Sequence, residues 1–582
     1  MVNFKTVSKK RLVGSQRLYI LATSIVIFGI IILARLYTLQ VIAHPKYRAI
    51  AEGQHKVFSE LTARRGEVYL QSKKEKYPLA VNRDYLMVFL EPKLVEDKKI
   101  VVENISYILK MEKSEIEEKL SDSDDMFEVV KRKISQEEAD KIKKLNLKGV
   151  KITTENFRYY PGEELASHIV GFIGSDGEKL RGMYGIESAW ENELKGENGK
   201  LSQERDNRGR WISIIDRDLI PAEDGFDLIL TIDEAVQYEV EKILKEAMEK
   251  HRADSGSIIV QDSKTGKILA MTNYPDFNPN EFGKVEDMSA FINSSVSSAY
   301  ETGSVFKTIT LATGIDTGVI SPSTTYVDTG IVHEAGYSIE NSDFKSYGEQ
   351  TMTEVLEKSL NTGVIFVEKL VGNKRFAEYV ERFGFGNSSG IELPGEASGN
   401  IKNLEKINRD IQFFTASYGH GITATPLQLA NAYSAIANNG KLMKPQIVDK
   451  IIYNNGDEKI TEPEEIRQVI KSDTAKQMLE MLGSVVENGH GKRAGVLGYK
   501  VGGKTGTAQV AKSGEKGYEE NITIGSFAGI APINDPKFTV IVKIANPKDV
   551  LWAESSAAPA FGKVMNFLLN YYNVAPTETI ES

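Results

Sequence analysis

Cysteine is absent from the 582 residues of this chain, and histidine occurs only seven times. The first absence excludes a thiol nucleophile, a disulfide framework and a zinc site with cysteine ligands. The histidines are scattered and never form an H-E-x-x-H pattern, so the sequence predicts neither a metal nor a cofactor. An excess of positive charge is also lacking, because the formal net charge is −9. We therefore predict no nucleic-acid partner.

Charged residues are missing from one long stretch near the N-terminus. Leu18–Ala34 contains none in 17 residues, and after Arg35 the apolar run continues to Ala43. A helix over 18–42 is long enough to cross a lipid bilayer, with Arg35 reaching towards the outer headgroups. A cleaved signal peptide is the alternative, but the run is long for one and no small-x-small cleavage site closes it.

Residues 1–17 form a basic tail without any acidic residue. Such a flank stays in the cytoplasm, so we predict a single-pass protein of the cytoplasmic membrane whose remainder is extracytoplasmic. Removing the five positive charges of the tail from −9 leaves −14, so the exported part is acidic. The five basic residues are Lys5, Lys9, Lys10, Arg11 and Arg17.

The rest of the chain is long enough for two or three domains. We predict a mixed α/β domain without a catalytic signature over 43–225, with Lys- and Glu-rich helices within 92–150. From Phe226, DLILTID predicts a buried strand, EAVQYEVEKILKEAMEKH a helix and SGSIIVQDSKTGKILAMTNYP a hairpin. These patterns predict one large α/β domain over 226–573, followed by a polar tail over 574–582.

A candidate nucleophile lies in ETGSVFKTITLATGIDTG, where Ser304 and Lys307 are three residues apart. The stretch predicts a helix that ends near Gly314, and residues i and i+3 share one helix face. The start of a helix offers free N–H groups and a positive dipole end to an oxyanion. A lysine in a dry pocket near another cation loses its proton easily and becomes a base for a serine hydroxyl. Alone, S-x-x-K is a weak signal, because both residues are common on helix surfaces.

Two further patterns follow. The second begins at Ser359, 55 residues after Ser304, and the third at Lys504, 145 residues after Ser359. KSLNTGV contains Ser359 and Asn361 in an S-x-N pattern, which alone also fits a helix cap or a turn. VGGKTGTAQV contains K-T-G-T, and its alternation predicts a strand without showing which side chains face a pocket. The glycine leaves bare backbone against which a substrate can lie, and the other three residues can hold a carboxylate. The four residues are Lys504, Thr505, Gly506 and Thr507.

Two other motif matches give alternative interpretations. GYKVGGKT, residues 498–505, also fits G-x-x-x-x-G-K-T, the phosphate loop of nucleotide hydrolases. That loop requires a helix that opens at Lys504, whereas GTAQVAKSGEKGYEEN predicts a strand and then a Gly- and Lys-rich turn. Gly386–Gly390 fits G-x-S-x-G, but no strand precedes it and no helix follows, so we predict a glycine-rich turn.

With its three motifs in this order, the chain resembles a class B penicillin-binding protein, a peptidoglycan D,D-transpeptidase, most like the septal cell-division type. The resemblance implies an α/β (α+β) protein with a penicillin-binding/serine β-lactamase-like transpeptidase domain. It also implies a pedestal, or dimerisation-type, domain before it and one transmembrane helix. The likeness runs nearly from end to end. It includes RGEVY (65–69), RYYPGEELASHIVGFIG, MYGIESAWENELKGENG, LTIDEAVQ, TGKILAMTNYPDFNPN, FGFGNSSGIELPGE, SYGHGITATPLQLANAYSAIANNG and FAGIAP.

The resemblance implies a role for the residues of the first two motifs. Ser304 would attack the penultimate D-Ala carbonyl of a stem peptide and form an acyl-enzyme, while Lys307 takes the serine proton. Ser359 would relay a proton towards the leaving D-Ala, and Asn361 would hold the substrate amide and Lys307. An amine of a neighbouring stem peptide would then accept the acyl group and cross-link the cell wall. β-Lactams would acylate the same serine.

The third motif is implied to bind the donor. Lys504 would tune the electric field and, with Thr505 and Thr507, bind the terminal carboxylate beside Gly506. The backbone N–H groups of Ser304 and Thr507 would form the oxyanion hole, in which one donor contributes about 3 kcal/mol. A multi-pass membrane glycosyltransferase and other division proteins are the implied partners.

Two positions depart from the family pattern. Thr302 stands where the family usually has proline, which is expected to alter the loop before the nucleophile and not the chemistry. Leu70–Lys73 stands where the family has Asp-Arg-x-Gly, which weakens any inference about partner contacts of the middle region. An inactive scaffold or a β-lactam sensor of the same fold, and a hydrolysing β-lactamase, are the alternatives. The intact motifs favour an enzyme over a scaffold, and the long region before the first motif favours a transpeptidase over a sensor or a β-lactamase.

Overall fold

The computed structural model describes residues 10–42, 56–73, 75–123, 125, 127–176, 179–204, 218–334, 336–512 and 517–578. Chain contacts divide it into two compact units, Met1–Ala63 with Glu197–Asp224 and Arg64–Gly196 with Gly225–Ser582. The second unit thus includes most of the predicted pedestal together with the predicted transpeptidase domain, and the boundary at 225/226 stays a prediction. Residues 1–9 of the predicted basic tail and 579–582 of the predicted polar tail lie outside the described residues.

The first unit contains the apolar helix and a small sheet. Helix α1 spans Lys10–Tyr37 and continues as a π-helical turn over Thr38–Ile42. Its segment Tyr19–Val41 is long and apolar enough to cross a membrane, which confirms the predicted apolar helix. The orientation of this helix stays a prediction. The antiparallel sheet joins β1 (Lys56–Leu61), β8 (Gly199–Glu204) and β9 (Asp218–Ile220) in that order.

A seven-stranded sheet runs through both predicted domains of the second unit. The predicted strand DLILTID is confirmed, and it is parallel to one pedestal strand, whereas all other pairs in this sheet are antiparallel. The sheet joins β19 (Glu458–Ile460), β18 (Val448–Ile452), β10 (Asp227–Asp233), β2 (Val68–Gln71), β3 (Tyr77–Leu90) and β4 (Glu128–Ile134), with β5 (Val150–Tyr159) paired to β3.

A five-stranded antiparallel sheet forms the centre of the later region. It includes the predicted hairpin, which is confirmed, and its last strand is an edge strand that carries the third sequence motif. In spatial order the strands are β12 (Ile268–Tyr274), β11 (Ser255–Asp262), β23 (Phe538–Ala545), β22 (Tyr518–Ala531) and β21 (Gly502–Ala511).

The two faces of this sheet carry separate hydrophobic cores. Side chains alternate along β11, so Ile258 and Val260 lie in one core and Ile259 lies in the other. The first core includes α8 (Glu234–His251), which confirms the predicted helix, and α17 (Ala557–Tyr571). The second core includes the helix that follows the first sequence motif.

The pedestal part of the second unit has its own small core. Three helices pack there against β3 and β4, and Ser135 and Glu138 form a capping box at the start of the third. The predicted Lys- and Glu-rich helices are therefore confirmed. They are α2 (Lys98–Leu109), α3 (Lys113–Lys119) and α4 (Gln136–Leu145).

The remaining helices and strands of the described residues are as follows. The helices are α5 (Ser167–Val170), α6 (Gly185–Ala189), α7 (Glu191–Leu194), α9 (Ser294–Ser297), α10 (Lys307–Asp316), α11 (Met352–Glu357), α12 (Asn361–Val371), α13 (Asn373–Arg382), α14 (Asp410–Ser417), α15 (Pro426–Ala437) and α16 (Ser472–Glu487). Paired strands are β6 (Phe172–Asp176) with β7 (Lys179–Met183), β13 (Thr325–Asp328) with β16 (Gly348–Thr351), β14 (Ile331–Glu334) with β15 (Tyr337–Glu340), and β17 (Lys441–Met443) with β20 (Glu465–Gln468). Single 3-10 turns span Pro92–Leu94, Pro279–Lys284, Met288–Phe291, Gly303–Phe306, Lys402–Glu405 and Lys492–Ala494.

A buried ion cluster lies within the pedestal part. The Nε atoms of Arg65 and Arg158 each donate to the Glu187 carboxylate at 2.6 Å, and Arg65 also pairs with Glu191 at 2.7 Å. Burial alone would raise the pKa of Glu187, but Arg158 and Arg65 outweigh it and hold that pKa below its ordinary value. This cluster therefore buries its charges in opposite-sign pairs.

Candidate active site

The turn that carries Ser304 packs directly against the edge strand β21. Gly303–Phe306 is a 3-10 turn that leads into α10, which extends to Asp316, two residues beyond the predicted end. A Cβ placed on Gly506 of β21 would lie 2.8 Å from the carbonyl oxygen of Thr302 and 2.9 Å from Val305. The first and third motifs are therefore neighbours in space.

The position of Lys504 decides between the two motif interpretations. Lys504 and Thr505 lie inside the strand Gly502–Ala511, and Lys504 pairs with Ala528 of β22. A phosphate loop places its lysine at the opening of a helix, where free N–H groups face the phosphates. The phosphate-loop alternative is therefore wrong. The G-x-S-x-G match also lies outside any helix or strand, as the predicted turn requires.

A cavity of about 280 Å³ opens beside Ser304. Four of the eight predicted site residues line it, one or more from each of the three motifs: Ser304, Ser359, Thr505 and Thr507. A larger, more open depression of about 640 Å³ lies around Gly372–Arg375, and none of the predicted residues lines it. The smaller cavity is the candidate active site, because it combines a serine with buried amines.

Lys307 is completely buried beneath this cavity. Its Nζ donates to the carbonyl oxygen of Ser359 and lies 3.3 Å from the Ser359 hydroxyl. Burial, and then the cation of Lys504, lowers the pKa of Lys307 well below its ordinary value. Burial therefore favours the uncharged form of the Lys307 amine, which is the form able to accept a proton.

Lys504 is buried just as completely, but it titrates differently. Its Nζ donates to the carbonyl oxygen of Thr505 at 3.1 Å and to the Thr505 hydroxyl at 3.3 Å. Burial lowers the pKa of Lys504 to about 7. At neutral pH this lysine is thus partly charged, so it can attract an anion while it disfavours charge on Lys307.

Ser359 lies in the connection between α11 and α12 with an unusual backbone conformation. Its φ is +57°, in the left-handed region that residues with a side chain seldom adopt. The same residue accepts from Lys307 through its carbonyl and its hydroxyl. Backbone strain of this kind costs about 1–3 kcal/mol and is typically found at functional sites. Here it accompanies the contact of Ser359 with the buried amine.

Asn361 does not adopt the contacts that the resemblance implied. It is the first residue of α12, and its side-chain amide donates to the carbonyl oxygen of Glu340 at 2.8 Å. It is absent from the residues that line the 280 Å³ cavity, and no described hydrogen bond joins it to Lys307. Its role in holding the substrate and Lys307 stays a prediction.

Strand alternation separates the residues of the third motif. Thr505 and Thr507 face the cavity, and the Thr507 hydroxyl accepts from the backbone N–H of Ala553 at 3.2 Å. Gly506 faces the other way, where a Cβ would crowd Thr302, Val305 and Ser526. Gly506 is therefore required because the 3-10 turn Gly303–Phe306, which we call the nucleophile turn, packs against it. The sequence analysis predicted bare backbone for a substrate at Gly506 but did not predict this packing contact.

Several residues of the cavity wall escaped the sequence analysis. Trp552, which is 55% exposed, and Glu554 come from the loop before α17, and His490 comes from the loop after α16. Asp343 follows β15 and also lines the cavity. The only sequence signal was the rarity of tryptophan, which occurs three times in the chain. These loops converge only through the tertiary fold.

Together, the five-stranded sheet, the turn that carries Ser304 and the buried lysine fit the class of serine acyltransferases. The sequence comparisons identify the family. Residues 256–566 match the model of the penicillin-binding protein transpeptidase domain, and residues 60–230 match that of the penicillin-binding protein dimerisation domain. The chain belongs to the penicillin-binding protein transpeptidase family, and the resemblance to its class B septal type is confirmed.

Individual relatives cover most of the chain. Stage V sporulation protein D of Bacillus subtilis is 33% identical over 570 residues, which are 97% of this chain and 87% of that protein. The peptidoglycan D,D-transpeptidase FtsI of Escherichia coli K12 is 31% identical over 450 residues, 76% of this chain and 72% of FtsI. The crystal structure of penicillin-binding protein 3 from Mycobacterium tuberculosis with aztreonam has a TM-score of 0.69 at 25% identity. It covers 89% of this chain and 98% of that one.

Proposed function

We propose that this protein is a membrane-anchored peptidoglycan D,D-transpeptidase that cross-links stem peptides during cell division and is acylated by β-lactams. The observation that carries the proposal is the completely buried amine of Lys307, with its lowered pKa, beneath the cavity that Ser304 lines. The name of the FtsI relative, a peptidoglycan D,D-transpeptidase, supports the same reaction.

The first half-reaction forms the acyl-enzyme. The Ser304 hydroxyl attacks the penultimate D-Ala carbonyl of the donor stem, and its proton moves to Nζ of Lys307. The C–N bond to the terminal D-Ala then breaks, and the departing amine takes a proton through the Ser359 hydroxyl, which lies 3.3 Å from Lys307. The N–H groups of Ser304 and Thr507 are the proposed oxyanion donors.

Thr505, Thr507 and the partly charged Lys504 bind the terminal carboxylate of the donor. Hydrogen bonds to a carboxylate are strongest from charged donors, and Lys504 supplies a charge through its contact with Thr505. The second half-reaction transfers the acyl group to an amine of a neighbouring stem peptide. Asn361 is proposed to steady the substrate amide, which requires its side chain to leave the Glu340 carbonyl.

The membrane helix anchors the enzyme with its N-terminus in the cytoplasm and its catalytic part outside. A multi-pass glycosyltransferase that polymerises lipid-linked disaccharide is the proposed partner of this helix. Substitutions at its outer end, near Arg35, should reduce co-purification with that partner and cross-linking of nascent glycan. Unchanged cross-linking would mean that the helix is only a tether.

The central test is a mass spectrum of the intact protein after treatment with penicillin. One penicilloyl adduct is expected, located on the peptide that contains Ser304 and retained for much longer than by a β-lactamase. Ser304→Ala should carry no adduct, and Ser323→Ala, on a surface loop, serves as the matched control that keeps it. An unlabelled wild-type protein would support an inactive scaffold, and rapid loss of the adduct would support a hydrolase.

A further inference from the structure

A histidine beside the nucleophile turn has no part in the reaction as described so far. His420 lies in the loop after α14, and its Nε2 atom is buried without a hydrogen-bond partner among the described residues. An unpaired buried polar atom typically costs about 1–3 kcal/mol, so such an atom needs an explanation. His420 is not among the residues that line the 280 Å³ cavity.

The loop of His420 is fixed against Ser304. The N–H of Gly303 donates to the carbonyl oxygen of Gly419 at 3.1 Å, and Gly419 has no room for a Cβ because the backbone of Gly303 is so close. The imidazole lies between two tyrosines, edge-on to Tyr418 at 5.2 Å and 6.0 Å from the ring of Tyr518. The ring therefore has little freedom to turn its Nε2 atom elsewhere.

A carboxylate is held next to this histidine. Glu301, three residues before the nucleophile, accepts from the N–H of Gly421 at 2.9 Å and from the Tyr518 hydroxyl at 3.2 Å. Burial raises the pKa of Glu301 above its ordinary value, which makes its carboxylate a better proton acceptor. Tyr518 is 36% exposed, so the group meets solvent at its tyrosine.

The charge state of His420 suits a hydrogen-bond acceptor. Burial lowers the pKa of His420 to about 4, and Lys307 adds to this lowering in its protonated form. At neutral pH the ring is uncharged, and a neutral imidazole has one nitrogen with a free lone pair. A carboxylate, a neutral imidazole and a phenol together match the donors of a primary ammonium group.

We propose that His420, Glu301 and Tyr518 form the subsite that binds the acceptor amine of the second stem peptide, next to Ser304 and separate from the donor cavity. The inference rests on the proposed transpeptidase function and adds the place where the second substrate enters. A bound ammonium donates to Nε2 of His420 and to the Glu301 carboxylate, and one of its protons passes to Glu301 and then to solvent. The resulting amine attacks the acyl carbon, and the bond from this carbon to Oγ of Ser304 breaks. The second amine proton returns to Oγ through Lys307, so an amide and a free serine result.

The test separates transfer from acylation. The full-length protein is given an N-acyl-D-alanyl thioester as donor and D-alanine as acceptor, and the ratio of aminolysis to hydrolysis products is measured. His420→Phe and Glu301→Gln should each lower this ratio at least tenfold, whereas labelling of Ser304 by a fluorescent penicillin should change less than threefold. Tyr518→Phe should lower the ratio about threefold. His333→Phe, an exposed histidine on β14, should change neither measurement.

An unchanged product ratio in the His420 and Glu301 variants would overturn the inference. Loss of labelling and of transfer by the same factor would also overturn it, because these residues would then only support the nucleophile turn. If His420→Phe does not fold, as judged by thermal unfolding, Glu301→Gln and Tyr518→Phe decide the question. A wild-type protein that penicillin does not label contradicts the proposed function itself, whereas a labelled wild type with unaffected variants contradicts this inference alone.

Discussion

Basic side chains are buried in the second unit at Arg65 and Arg158 in the pedestal part and at Lys307 and Lys504 beside the cavity. In the pedestal, the carboxylate of Glu187 lies 2.6 Å from both guanidinium groups. Beside the cavity, the described residues place no carboxylate in an ion pair with either lysine. Removing charge from water costs free energy in both regions. Ion pairs offset this cost in the pedestal, whereas a lowered lysine pKa reduces the charge beside the cavity.

The comparison separates buried basic side chains that stabilise the fold from those that are able to act as a base. A guanidinium keeps its proton under all conditions, so burying it requires an anion and produces a fixed structural contact. An amine has a pKa that burial can lower, so leaving it unpaired creates a base. We propose that the missing counter-ion at Lys307 is a functional feature, whereas the ion pairs of Glu187 are a structural one.

The largest expected effect comes from removing the amine of Lys307, which has no carboxylate partner among the described residues. Lys307→Met should lower the rate of Ser304 acylation by penicillin at least 1,000-fold, about 4 kcal/mol, because the hydroxyl loses its base. The same change should raise the midpoint of thermal unfolding, because a buried amine is replaced by an apolar side chain of similar length. Labelling kinetics and a thermal scan measure both effects. Retained labelling, or a lowered midpoint, would show that Lys307 is an ordinary structural residue.

The opposite result is expected in the pedestal. Glu187→Gln should lower the free energy of unfolding by about 3–5 kcal/mol, because the buried Arg158 loses its carboxylate partner and Arg65 keeps only Glu191. Since the pKa of Glu187 is held below its ordinary value, its contribution is present above the unfolded-state pKa and lost as pH falls through the folded-state pKa. Thermal or urea unfolding measures the change. Glu191→Gln, whose side chain is 25% exposed, is the matched control and should cost less.

A smaller effect is expected from disturbing the contact between strand and nucleophile turn. Gly506→Ala places a methyl group where Thr302 and Val305 leave no room, which should displace Ser304. We expect a 10- to 100-fold slower acylation, because small displacements of reacting groups are costly. Gly283→Ala, where no described atom lies within 4 Å of the added methyl group, is the control and should be close to wild type. An unaffected Gly506→Ala protein would show that the turn adapts to the methyl group.

The smallest effect concerns pH. Acylation by a β-lactam with a carboxylate should first rise with pH as Lys307 loses its proton. It should then fall about fivefold between pH 7 and 8, because Lys504, with a pKa of about 7, loses its charge. Rates of penicillin labelling across this range measure the profile. A β-lactam analogue without a carboxylate should lack the falling limb, and an equal fall for both compounds would exclude Lys504 as the anion-binding group.

Much of the fold was predictable because local patterns decide it. The apolar helix, the strand Asp227–Asp233, the helix Glu234–His251 and the hairpin after it all follow from runs and periods within 20 residues. The pairing of β2 with β10 was not predictable, because no local pattern specifies a partner 160 residues away. For the same reason, the sheet shared by the two predicted domains emerged only from the structure.

The sequence by itself determined the candidate parts of the site, since the types and order of Ser304, Lys307, Ser359 and Lys504 already predicted a nucleophile, a base, a relay and an anion site. Tertiary structure decided the environment of those parts: the burial that lowers the pKa of Lys307, the packing that demands Gly506, and the contact of the His420 loop with Gly303. The physical reason is that reactivity depends on desolvation and distance, which arise from residues far apart in the chain, whereas residue type is local information.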